Sequence, residues 1–299
     1  MTMAADLVLD ARCGTGESPL WSPAEQALYW VDIPAARLHR WDATTGQSRH
    51  WQAPEMLACV ARTADGLGFI AGMESGLFRL NPKADADALS ADPIAAVQHA
   101  RRGMRFNDGR CDRQGRFWAG TMVMDMSANL PLGQLYRYDP ARGLQAVLRG
   151  LTVPNGLGFS PDGRTMYLSD SHPSVQAIWA FDYDTDTGTP HHRRLFVDMR
   201  EHPGRPDGAA VDADGCYWIC GNDAGLVHRF TPQGRLDRSL AVPVKKPAMC
   251  AFGGPGLDTL YVTSIRPEGV DLSDQPLAGG VFALNPGVTG LPEPAFDAA

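Results

Sequence analysis

Residues 153–163 read VPNGLGFSPDG, and two dipeptides within them compete for one role. Asn155-Gly156 and Asp162-Gly163 both favour tight β-turns, since each supplies residues tolerant of positive φ. Only LGFSP lies between them. That is room for a single short strand, so the pairs do not close two successive hairpins. One pair is a turn and the other does something else.

The next residues, TMYLSDS (165–171), show which. Five more segments share their shape: ALYWVDI (27–33), LGFIAGM (67–73), RFWAGTM (116–122), CYWICGN (216–222) and TLYVTSI (259–265). Each is a β-rich run with an aromatic residue. The markers Trp30, Phe69, Trp118, Tyr167, Trp218 and Tyr261 are spaced by 39, 49, 49, 51 and 43 residues. A second run ending in a polar turn follows each: RLHRWDATTG, GLFRLNP, GQLYRYDP, AIWAFDYDTDTG, GLVHRFTPQG and GGVFALNP. Five markers are preceded by a Gly- or Pro-containing turn (TADG, DRQG, SPDG, DADG, GGPG), whereas the first copy has SPAEQ. A more variable fourth strand completes the unit, as in GLQAVLRG (143–150) and RRLFVDM (193–199).

Four short strands in a unit of this length, repeated six times, predict an all-β, six-bladed β-propeller of four-stranded antiparallel blades. The nearest helical candidate, KADADALSADPIAA (83–96), is broken by Pro93 and reads as a loop insertion. After the sixth unit's third strand only PGVTGLPEPAFDAA remains. The opening ADLVLDARC is therefore expected to supply the outer strand of the last blade and close the ring.

Size and charge agree with one domain spanning 1–299. Chains of this length bury roughly 75% of their unfolded surface, without help from disulfides or metals. The 27 basic and 34 acidic residues give −7, which argues against attraction to nucleic acid or an anionic membrane. No apolar run approaches the roughly 18 residues that span a bilayer. The start, MTMAADLVLDARCG, shows no basic n-region or sustained apolar stretch. The six cysteines (13, 59, 111, 216, 220, 250) form no CxxC pair or zinc-type cluster. They read as reduced, buried thiols of a cytoplasmic protein, a monomer or weak homo-oligomer.

In a propeller the innermost strand of each blade lines the central channel, and here it precedes the Gly-containing turn. Eight residues before each turn glycine stand Ala58, Asn107, Asn155 and Asp207. Glu17 holds the same offset before Tyr29 as Asn155 before Tyr167, and Pro247 or Ala248 is the sixth equivalent. Glu17, Asn107, Asn155 and Asp207 thus bring oxygen-bearing side chains from distant segments to one channel mouth. Three or four oxygens without His or Cys suit a hard divalent cation.

The same residues carry a family likeness. GESPLW with Glu17, RFNDGRCDRQGRFWAGTM (105–122), VPNGLGFSPDG, RPDGAAVDADG (205–215), YVTSIRPEG and LAGGVFALNP resemble the senescence marker protein, gluconolactonase and luciferin-regenerating enzyme family over nearly the whole chain. The resemblance implies a six-bladed propeller that binds one divalent metal and hydrolyses sugar lactones. It implies Glu17, Asn155 and Asp207 as metal ligands, and Arg105 and Asn107 as substrate contacts. The ion implied is calcium first, with zinc, magnesium, manganese or iron(II) as others. Where regucalcin-like members carry a substrate-contacting Glu after GTM, this chain reads VMDM. Asp125 takes that place, and its shorter reach alters the contacts to sugar hydroxyls.

Lactone hydrolysis needs a polarised carbonyl and an activated water, which a cation and a basic Asp207 could supply. Arg105 would grip ring or carbonyl oxygens through its planar fork. Asn107 would orient hydroxyls or water. The same residues could serve an esterase or phosphotriesterase, or a non-catalytic metal- or sugar-binding propeller. Asn222 is either a channel-mouth residue or part of an Asn-Asp turn. His172 reads as a loop histidine and His191-His192-Arg193-Arg194 as a solvated loop. GxSxG is absent, so no nucleophile elbow is expected. Asp162-Gly163 is then the turn, and Asn155-Gly156 begins an inner strand.

Overall fold

The computed structural model describes residues 5–297. Six four-stranded antiparallel sheets follow one another along the chain. The innermost strands are Gly16–Ser22, Leu57–Arg62, Met104–Cys111, Pro154–Phe159, Arg205–Val211 and Pro247–Gly253. Each touches the inner strand of the next blade, and the sixth touches the first, so the sheets form a closed ring. Asp6–Leu9 pairs antiparallel with Val281–Leu284 and completes the sixth blade, as its sequence predicts. Helical structure among the described residues is limited to two 3-10 turns, Met126–Ala128 and Met199–Glu201. No helix among them is long and apolar enough to cross a membrane.

The core lies between blades rather than within them. Trp118 packs with Leu157, Phe159 and Met166 of blade 4. Tyr167 packs with Ala209 and Tyr217 of blade 5, and Trp218 with Cys250 and Phe252 of blade 6. Trp30 and Trp21 meet Tyr261 and Val281 across the closure. Two of the marker indoles are also anchored by polar contacts. Trp118 Nε1 donates to Asp112 and Trp218 Nε1 to Asp212, both aspartates being fully buried. Buried carboxylates need such partners, which explains why the motif D-x-x-G-x-x-W appears in both blades. All six cysteines are buried and unpaired.

Two expectations are corrected. Ser90–Ala96 is no loop insertion but the outer strand of blade 2, pairing with Gly76–Asn81. Pro93 is tolerated there because an edge strand does not need every N–H for its ladder. His191 to Arg194 likewise lie inside an outer strand, Thr189–Asp198, with a register shift opposite Ala180–Asp182.

The C-terminal tail is also more than a remainder. Gly290 N donates to Leu257 O, Ala213 N to Thr289 O, Phe296 N to Arg62 O and Asp297 N to Gly115 O. It thereby ties the turns at the far ends of the inner strands of blades 2, 3, 5 and 6. Glu293 stands 3.5 Å from Arg110 in the channel. That end of the ring is covered, and the other end carries the cavity described next.

Candidate active site

The opening stretch explains how the site is built. Ser160 to Gly163 form the turn, with Gly163 N donating to Ser160 O and Gly163 at φ 71°. Asn155 and Gly156 lie inside the inner strand Pro154–Phe159. The ladder changes register there, between Asn155 and Gly158. Every inner strand has such an irregularity, at Glu17/Leu20, Leu57/Cys59, Phe106/Gly109, Pro206/Ala209 and Pro247/Cys250. A bulge re-aims side chains and relaxes the strict alternation of a strand. Repeated sixfold, it turns one residue per blade towards the channel mouth.

Glycine at 156 is required by its neighbour rather than by a bound ion. Its φ is 58°, and an added Cβ would stand 2.5 Å from Tyr217 Oη and 2.6 Å from Ser169 Oγ. Tyr217 Oη donates to Gly156 O at 2.5 Å, locking blade 5 against the bulge of blade 4.

A cavity of about 270 Å³ opens at this mouth. Its walls include Glu17, Arg105, Asn107, Asn155 and Asp207, so the structure gathers these five sequence candidates into one place. Ala58 and Ala248, at the two remaining blade positions, are buried and offer no polar atom. Asp125 is not among the residues of this wall, although its neighbour Met126 is. Asp125 is exposed and its Oδ1 accepts from Ser127 N and Oγ, capping the Met126–Ala128 turn.

A hydrogen-bonded chain crosses three blades. Arg105 Nη1 donates to Asn107 Oδ1 at 2.8 Å, and Asn107 Nδ2 to Asn155 Oδ1 at 3.1 Å. Asn155 Nδ2 donates to Ser171 Oγ, which donates onward to Pro206 O, both at 2.6 Å. Asn222 Nδ2 donates to Asp207 Oδ2 at 2.5 Å. Among the described residues Asp207 Oδ1 has no hydrogen bond. These bonds fix the flips of all three amides, Asn107, Asn155 and Asn222, because each Nδ2 faces an acceptor.

Ser171 and Asn222 were the residues hardest to read from sequence. Each follows or ends the aromatic strand of its blade and grips the oxygen-bearing residue of the strand before. The separations are nearly equal, 16 residues for Asn155–Ser171 and 15 for Asp207–Asn222. That repeated offset was the available signal. His172 is buried, its Nδ1 facing Ser174 Oγ and its Nε2 facing Met126 O at 3.1 Å. It braces the turn that carries Met126.

The electrostatics suit a cation. Glu17 is buried, and its Oε2 has no hydrogen-bond partner. Burial pushes its carboxyl well above the usual range, and the charges of Asp207 and Asp108 add to that, while Arg105 opposes. Burial also raises the Asp207 carboxyl. Two buried like charges and an orphaned oxygen are costly unless a positive charge joins them. Glu17, Asp207 and Asn155 Oδ1, which keeps a second lone pair, form an all-oxygen donor set of the kind hard cations take. Burial lowers the Arg105 guanidinium to about 10, so it remains charged at neutral pH.

Residues 15–266 match the family described as SMP-30/Gluconolactonase/LRE-like region. The chain is 42% identical over 283 residues to a 6-deoxy-6-sulfogluconolactonase of Pseudomonas putida, covering 94% of each. It is 35% identical over 297 residues to a pentonolactonase of Haloferax volcanii, covering 97% of each. Among solved structures, a calcium-binding protein, regucalcin, from Agrobacterium tumefaciens superposes with a TM-score of 0.89. That match has 28% identity and covers 98% of this chain and 97% of the other.

Proposed function

The chain belongs to the SMP-30/gluconolactonase/LRE-like family, and we propose that it is a divalent-cation-dependent hydrolase opening a sugar lactone to the aldonic acid. Glu17, Asn155 and Asp207 hold the cation in this reading. The observation that carries it is the buried, unpartnered Glu17 Oε2, set in the same cavity wall as Asp207 and the basic Arg105. Relatives named as lactonases match nearly the full chain length, which supports the substrate class.

When bound, a divalent cation polarises the lactone carbonyl and steadies charge on its oxygen. Asp207 takes the proton of the attacking water. Asn222 holds Oδ2, which leaves Oδ1 for that proton. The water oxygen bonds to the carbonyl carbon, the ring carbon–oxygen bond breaks, and the proton passes from Asp207 to the departing ring oxygen. General-base assistance of this kind is worth about 10²–10⁴ in rate. Arg105 donates to the carbonyl or ring oxygen with those guanidinium hydrogens not spent on Asn107 and Phe106 O. Asn107, fixed between Arg105 and Asn155, orients a sugar hydroxyl. Asp125 acts through the turn it caps, setting the position of Met126 in the cavity wall.

The test is a panel of glucono-, xylono- and arabinolactones beside an organophosphate triester, each with calcium, zinc, magnesium and manganese. Acid release is followed with a pH indicator and spontaneous opening is subtracted. Lactone opening well above the uncatalysed rate is expected. Turnover of the triester alone would replace this reading with a phosphotriesterase, and turnover of nothing with a binding protein.

A further inference from the structure

Beyond the five residues already assigned, the cavity wall carries two more basic groups, Arg205 and Lys246. Both are directed at one carboxylate. Arg205 Nε donates to Asp223 Oδ2 at 2.6 Å, and Lys246 Nζ donates to Asp223 Oδ1. Lys246 Nζ also lies 3.5 Å from Asn222 Oδ1, whose amide holds Asp207. Lys246 is therefore one amide side chain away from the proposed base.

From this geometry we infer that Arg205 and Lys246 form an anion subsite, and that the preferred substrate is an aldonolactone bearing a second anionic group at its far carbon. This rests on the lactonase reading of the site and specifies its substrate class.

The local charge balance beside Asp223 favours an anion. A divalent cation held by Glu17 and Asp207 balances those two carboxylates. Glu74 acts on Arg105 from a distance. Arg205 and Lys246 are left to share Asp223, two positive heads on one negative. Their donors are also incompletely used. Arg205 spends Nε on Asp223 and Nη1 on Ser171 O at 3.4 Å, and its Nη2 has no hydrogen bond among the described residues. An ammonium has three donors, and the contacts of Lys246 account for two.

Accessibility agrees with this use. The side chains of Arg205 and Lys246 are 21% and 27% exposed and that of Asp223 43%. A purely structural brace at such exposure gives little stability, whereas a partly shielded fork and ammonium bind a tetrahedral anion or carboxylate through charge-assisted hydrogen bonds. Both groups line the same cavity as Asp207, Arg205 two residues before it on the same inner strand, which suits a ligand whose carbonyl sits at the base while its far end meets the basic pair.

Two readouts test the assignment. The first compares kcat/KM for glucono-1,5-lactone and its 6-phospho derivative, in wild type and Lys246→Met. We expect wild type to favour the anionic lactone by about tenfold or more, and the ratio to fall about tenfold in the variant. The second measures calorimetric binding of gluconate, 6-phosphogluconate, 6-deoxy-6-sulfogluconate and glucarate, with inorganic phosphate as control, and repeats it with Lys246→Met and with Arg205→Gln. Tighter binding of one or more six-substituted acids than of gluconate, lost in both variants, supports the subsite and identifies the anion. Equal affinities for all the acids, or a wild type that prefers the neutral lactone, overturn it. If no lactone is hydrolysed with any cation, the lactonase reading fails while the binding measurement still decides the subsite.

Discussion

Asn222 Nδ2 donates to Asp207 Oδ2 across 2.5 Å, from the end of one strand to the inner strand beside it. The bond leaves one carboxylate oxygen free and fixes the plane of the other. Residues that orient a ligand in this way are typically worth about 10- to 100-fold in metal affinity or activity. Asn222→Ala is therefore expected to weaken cation affinity by about that factor, read by calorimetry. Affinity equal to wild type would show that Asp207 needs no such support.

Burial and the nearby carboxylates raise Glu17, and burial raises Asp207. In the cation-free fold both groups hold protons to higher pH than they do in the unfolded chain. The stability they contribute is therefore present at low pH and lost as pH rises through their folded-state pKa values. A cation replaces those protons. The gain in melting temperature on adding calcium should thus grow from pH 5 to pH 8, and binding should release protons. Melting curves with and without calcium, and calorimetry in buffers of different ionisation enthalpy, check both. A gain independent of pH would contradict the assignment of these two carboxylates.

At a pH above the raised folded-state pKa values of Glu17 and Asp207, Glu17→Gln removes one of the two buried like charges and keeps the shape. Breaking that repulsion should raise the melting temperature of the cation-free protein by about 2 °C, while abolishing most of the calcium-dependent gain. Such opposition between stability and function is common at active sites. A variant less stable than wild type without cation would show that Glu17 serves the fold.

Gly156→Ala tests the bulge itself. The left-handed φ and the 2.5 Å approach to Tyr217 Oη make even a methyl group costly, by at least about 2 kcal/mol. A fall of roughly 5 °C in melting temperature is expected. Tyr217→Phe, which leaves Gly156 O without its donor, should cost about 1–3 kcal/mol. Unchanged melting in both would mean that this interblade lock is dispensable.

Much of this was legible because a propeller repeats its chemistry. The aromatic strands and turn signals recur at blade spacing, and the residues beside the bulges recur at a fixed offset, so Glu17, Asn107, Asn155 and Asp207 could be aligned without coordinates. Ser90–Ala96 was not legible, since Pro93 is a breaker in most contexts and acceptable only on an edge, which sequence does not mark. Asp125 could be aligned by motif, but its capping of a 3-10 turn depends on a local backbone that motif spacing does not specify. Ser171 follows a strand of blade 4, Arg205 and Asn222 pair within blade 5 and Lys246 precedes the inner strand of blade 6, and only the closed ring brings all four to one cavity.

The central claim is that a cation held at Glu17, Asn155 and Asp207 is required for lactone opening. Its most direct test is the rate of acid release from glucono-1,5-lactone by chelator-stripped protein, before and after calcium, zinc, magnesium or manganese is returned, with Asp207→Ala alongside. The account predicts a fall to the spontaneous rate on stripping, recovery with at least one of these ions, and no recovery in a folded Asp207→Ala variant. Full turnover by the stripped protein, or by Asp207→Ala, would contradict it.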